Sequence, residues 1–105
     1  MPMPELPELA RVYSQTPLFT ETSVPAALLT RHNTKAGVWG RLDVYAGHLD
    51  YVMDEDVPET HRINAGQSAV IAPTRWHHLE LEGPVEFRVH FLRLTETSEA
   101  LTDAS

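Results

Sequence analysis

The stretch PTRWHHLELEGPVEFRVHF, residues 73–91, decides how this 105-residue chain folds. Two short apolar runs flank Glu82-Gly83-Pro84, and His77, His78 and His90 lie on them. Side chains alternate faces along a strand. On the first run His77, Leu79 and Leu81 share one face, and His78, Glu80 and Glu82 the other. On the second, Val85, Phe87, Val89 and Phe91 share a face opposite Glu86, Arg88 and His90. Matching apolar to apolar around a turn at Gly83-Pro84-Val85 predicts a hairpin. Same-parity registers are allowed, and one of them sets His78 opposite His90, Glu80 opposite Arg88, Leu79 opposite Val89 and Leu81 opposite Phe87. It also leaves Glu82 opposite Glu86, a small cost beside the turn. His77 then points inward, and His78 points outward with His90. A bulge near Pro73 would change that assignment.

Outward from this stretch, similar short runs recur. SAVIAP reads as a buried strand ended by Pro73, and DVPETHRINAGQ as a short polar strand leading to a turn at Gly66. Over residues 38–54, Val38, Gly40, Leu42 and Val44 alternate with Trp39, Arg41, Asp43 and Tyr45. With a turn at Ala46-Gly47-His48, this segment predicts a second hairpin. SVPAALLTRH, residues 23–32, reads as a strand after a proline boundary, and NTKAG as a loop. Pro2, Pro4 and Pro7 work against a regular helix, so residues 1–17 read as a loosely held arm with at most a helical turn over 8–13. Residues 95–105 form a polar tail. Six or seven short strands, frequent turn signals and no long amphipathic helix predict one all-β domain over 18–94, a sandwich or barrel.

Composition narrows the function classes. Cysteine is absent, which excludes disulfides, thiolate metal sites and a Cys nucleophile. A net charge of −7 disfavours nucleic acid and a basic membrane-binding face. Neither a membrane-length apolar run nor a secretory leader is visible, so a cytoplasmic protein is expected. There is no GxSxG turn and no Gly-rich nucleotide loop. No catalytic residue is assigned, and whether the chain is an enzyme stays open.

The six histidines carry the remaining signal. His48 and His61 fall in turns or polar strands and read as solvated. A buried His77 needs a hydrogen-bond partner or a metal. His32 ends an apolar run at a loop, where barrel mouths carry function. Two or three imidazoles with a carboxylate form a common ligand set for Zn, Fe, Mn or Ni. His77 and Glu80 fit HxxE, but on a strand that spacing sends them to opposite faces.

RHNTKAG, WGRL and PTRWHHLE, within residues 24–94, resemble a small cupin family of TehB/YeaR-like proteins linked with tellurite resistance. The resemblance implies a conical β-barrel, or double-stranded β-helix, with a central pocket that often holds a divalent metal. It marks Gly66, Pro73 and then His77 or His78 as the second cupin motif, with the narrower family favouring His77. Of the first motif, Gly47 matches the closing glycine, while HxH and Glu are replaced by Asn33-Thr34-Lys35 beside His32. The implied metal candidates are His32 and His77 first, His78 and His90 second. Trp39, Arg41, Tyr45 and Trp76 fall near the implied pocket. Their competing reading is packing for the aromatic residues and an ion pair with Asp43 or Glu80 for Arg41. The expected function is binding of a divalent metal, a small anionic ligand or both, in a tellurite-type stress response, by a homodimer. The alternative is a metal-dependent enzyme such as a dioxygenase or isomerase. Methyl transfer is not expected of this chain.

Overall fold

A computed structural model of the chain describes residues 3–95. Seven strands appear in chain order: β1 (Ala10–Gln15), β2 (Phe19–Thr20), β3 (Trp39–Met53), β4 (Glu59–Asn64), β5 (Ser68–Ile71), β6 (His77–Glu80) and β7 (Val85–Leu94). A short 3₁₀ helix, Ala26–Leu29, lies between β2 and β3. The strands form one all-β sheet that does not close into a barrel. Among the described residues no helix is long and apolar enough to cross a membrane.

Everything is organised on β3, which runs unbroken for 15 residues. Along one edge β4 pairs from Met53–Glu59 to His48–Asn64, and β5 continues from Asp43–Ser68 to Gly40–Ile71. Along the other edge β6 pairs from Met53–His77 to Asp50–Glu80, and β7 continues from Gly47–Val85 to Trp39–Leu92. Each edge is therefore covered by two strands laid end to end. β1 and β2 then pair with the far side of β7.

The middle of β3 is irregular for a reason visible in the burial. Between Val44 and Ala46 a bulge sets an extra residue against β7. Before it Leu42 and Val44 are buried; after it Leu49, Tyr51 and Met53 are. The extra residue moves the inward positions from even to odd numbers, so both halves of the strand face one core. Ile63, Ala69, Ile71, Leu79, Val85, Phe87 and Val89 complete that cluster. Neighbouring backbone closes over the irregularity. The Gly66 N–H donates to the Val44 carbonyl at 2.8 Å, and the Ala65 N–H to the Gly47 carbonyl at 3.0 Å.

Both predicted hairpins are corrected by this arrangement. Residues 46–48 are the bulge region of a continuous strand, not a turn. β6 and β7 do not fold back on each other: His78 faces Val52, and His90 faces Arg41. The expected cross-pairs of residues 78–82 with 86–90 do not form. Alternation correctly marks the inward faces, since His77, Leu79, Val85, Phe87 and Val89 are buried. It carries no information on which strand lies alongside.

Two further expectations change. Residues 23–32 hold the 3₁₀ helix in place of a strand, because Ala-Ala-Leu-Leu lacks alternation and favours helical backbone. The loose arm over 1–17 includes β1, which covers the otherwise open edge of β7. Most of the polar tail, residues 96–105, lies outside the described residues.

The bulge fixes one residue identity tightly. Gly47 has φ +72°, and a Cβ there would run into the Pro84 carbonyl oxygen. Gly47→Ala should therefore cost about 3 kcal/mol or more, combining positive-φ strain with a backbone clash. Urea denaturation checks this, with Gly66→Ala as the comparison. Gly66 also has positive φ but open space around its Cβ position, so it should lose clearly less.

Candidate functional site

His77 opens β6 and His32 follows the 3₁₀ helix, 45 positions away in sequence by their numbers. One antiparallel bridge joins them. The His32 N–H donates to the His77 carbonyl at 2.9 Å, and the His77 N–H to the His32 carbonyl at 2.8 Å. A pair that exchanges both bonds carries its side chains on one side of the ladder. The two rings accordingly meet edge to face, with centroids 4.2 Å apart.

Each imidazole is also held through Nδ1. Nδ1 of His77 lies 2.9 Å from the Arg75 carbonyl, and Nδ1 of His32 lies 2.8 Å from the Thr30 carbonyl. A carbonyl only accepts, so both Nδ1 atoms carry the proton and donate it. Neither Nε2 has a hydrogen-bond partner among the described residues. His77 is 2% exposed, and burial pushes its pKa down to about 4. The ring is neutral at pH 7. Tyr51, with its ring 5.3 Å from His77, stays a phenol because burial pushes its pKa well up.

The two histidines sit on the wall of a cavity of about 150 Å³. Asn33 and Thr34 contribute beside them, and Leu42, Ile71, Leu79, Val89 and Phe91 form apolar walls. The Thr34 hydroxyl already donates to the Val38 carbonyl at 2.8 Å.

The other candidate residues lie elsewhere. His78, on the opposite face of β6, sits between Asp54 at 2.7 Å and Glu80 at 2.9 Å. Burial pulls its pKa down, but the hydrogen bonds to those two carboxylates outweigh this and hold it above the usual value. His90 lies 3.2 Å from Asp43. Burial and then the Arg41 charge hold its pKa below the usual value. Arg41 is ion-paired with Asp43 at 3.2 Å, and Glu80 takes no part in that pair. Trp39, Arg41 and Tyr45 occupy the face of β3 away from the core, and none lines the cavity. Trp76 stacks under Arg31 at 4.4 Å and borders an open groove of about 950 Å³ that shares no lining residue with the cavity. His48 and His61 are half-buried and paired with Glu82 at 3.2 Å and Glu59 at 3.3 Å.

The structure therefore unites His32 and His77 and separates them from His78 and His90. Among the described residues no group of three or more His, Cys, Asp or Glu forms a metal-ligand cluster. Asn33 and Thr34 were legible only as neighbours of His32. The apolar walls carried no chemical signal of their own.

One all-β sheet with a small cavity lined by His32 and His77 defines the class: a single all-β domain. The sequence matches the TehB-like domain over residues 14–89, and the chain belongs to that family. The uncharacterised protein YeaR of Escherichia coli K12 is 37% identical over 73 residues, covering 62% of this chain and 61% of YeaR. TehB of Haemophilus influenzae, described as a probable S-adenosyl-L-methionine-dependent methyltransferase, is 32% identical over 78 residues, covering 65% of this chain. This chain spans only 25% of TehB's length. In three dimensions, a crystal structure of an E. coli K12 protein aligns with TM-score 0.80 at 29% identity, covering 90% of this chain and 100% of that one. The crystal structure of H. influenzae TehB aligns with TM-score 0.76 at 26% identity, covering 93% of this chain and 36% of TehB.

The depressed His77 pKa ties stability to pH. The folded value, about 4, lies below the ordinary 6.5, so the unfolded chain binds the proton more readily. The contribution is complete above pH 6.5 and is lost as pH falls through 6.5 toward 4. In chelator-treated protein the loss over that window should reach about 3 kcal/mol from this group. Denaturant midpoints at pH 7 and pH 4.5 check it, because His77→Gln should show a distinctly flatter pH slope than the wild type.

Proposed function

We propose that this chain is a small cupin-type binding module whose cavity takes a divalent metal on Nε2 of His32 and Nε2 of His77. The observation that carries the reading is the pair of Nδ1–H bonds to the Arg75 and Thr30 carbonyls. Metal-ligating histidines are commonly held this way, with the second nitrogen donating to a carbonyl or carboxylate. A neutral His77 also meets little proton competition at pH 7. The donor set fits a two-nitrogen site and suits Zn or Ni better than the oxygen-seeking Mn. With two protein ligands, a bound metal would supply a Lewis acid with open positions for a small anion.

An anion without a metal is the weaker reading, because no Lys or Arg lines the cavity. The all-β architecture with one small cavity supports the cupin assignment. Membership of the TehB-like family supports a place in a tellurite-type stress response. The metal-dependent enzyme remains the second reading, but a catalytic site of that kind ordinarily uses three protein ligands.

Isothermal titration of tag-free protein with ZnCl₂ or NiCl₂ tests the site. One ion per chain should bind. His32→Ala and His77→Ala should each weaken binding at least tenfold, while His78→Ala and His90→Ala leave it unchanged. No stoichiometric binding by the folded wild type, or equal losses in the His78 and His90 variants, would overturn the reading.

A further inference from the structure

The cavity carries more information than its two nitrogens. Its volume, about 150 Å³, equals that of an apolar cavity able to hold one benzene ring. Leu28, Leu42, Ile71, Leu79, Val89 and Phe91 supply its walls. No Lys or Arg lines it, so a carboxylate inside would be desolvated without a counter-charge, at high cost. His77, whose Nδ1 is spent on the Arg75 carbonyl, has its Nε2 left to accept from a donor. The Thr34 hydroxyl proton is already committed to the Val38 carbonyl. A ligand suited to these surroundings has an apolar body no larger than one six-membered ring and a single neutral O–H.

We infer that the cavity is a site for small monohydroxylated hydrocarbons of the phenol or cyclohexanol class, with the hydroxyl donating to Nε2 of His77. The inference rests on the same binding cavity as the proposed function but not on a bound metal. The apolar body displaces weakly held water from the walls, which supplies most of the affinity. The hydroxyl supplies selectivity, because toluene leaves the His77 Nε2 without a donor. Size supplies the second selectivity: a cavity of about 150 Å³ matches one ring and not two.

The test uses chelator-treated full chain and four probes: phenol, toluene, benzoate and 1-naphthol. Binding is read by titration calorimetry and by the rise in Tm with ligand concentration. Phenol should bind about tenfold more tightly than toluene, the worth of one buried hydrogen bond. Benzoate and 1-naphthol should produce no shift. His77→Leu keeps an apolar side chain of similar bulk, so phenol should fall to the level of toluene while toluene is unchanged. Benzoate binding as tightly as phenol, 1-naphthol binding as tightly as phenol, or no binding of phenol and toluene by the folded wild type would each overturn the inference. Should the variant fail to fold, the four wild-type affinities decide alone. A parallel ZnCl₂ titration separates the two proposals: zinc bound with phenol excluded removes only this one, and phenol bound with zinc rejected removes only the metal.

Discussion

The bulge in β3 is the constraint on which the rest depends. A 15-residue strand with strict alternation would turn one half of its apolar side chains toward solvent wherever the apolar pattern changes parity. The pattern does change, from Leu42 and Val44 to Leu49, Tyr51 and Met53. One inserted residue restores a common inward face. Both flanking edges yield near it: β4 gives way to β5 opposite residues 44–47 of β3, and β6 to β7 opposite residues 48–49. Gly47 and the Pro84 carbonyl meet where the β7 edge yields.

The histidine pair follows from that geometry. Because β6 and β7 lie end to end, His77 starts its own short strand and keeps one backbone edge free of β7. His32 takes that edge through a single bridge. Had the two runs folded back as a hairpin, His77 would have met the β7 strand and not the loop carrying His32. The pairing of the imidazoles is thus a consequence of strand placement, reinforced by two ring-to-backbone hydrogen bonds.

Much of the inward face was legible in the sequence, and strand partners were not. Alternation alone separates His77 from His78, and the exposure of the two residues agrees. The strand positions of β4 and β5 follow from Gly66, Pro73 and the apolar SAVI run. Partner choice depends on contacts far apart in sequence, and Gly83-Pro84 reads equally well as a tight turn or as a break between collinear strands. The 3₁₀ helix was hidden because a four-residue apolar run has no usable period. His32 drew attention only through its place at a loop. Its distance from His77 depends on a bridge that no local pattern encodes.

Adjacent residues on opposite faces receive opposite electrostatic treatment, and this gives the inner site its character. The chain carries a net charge of −7, yet no carboxylate lines the cavity. His78 is held between Asp54 and Glu80, which favour its charged form and commit both its nitrogens. His77, one residue earlier, is buried among apolar side chains that favour the neutral form. An imidazole between two carboxylates has no lone pair left for a guest. A neutral imidazole pinned through Nδ1 keeps one, in a medium where a single polar contact counts for more than in water. Alternation therefore does more than divide inside from outside: across a single peptide bond it divides a histidine spent on structure from one still available for binding.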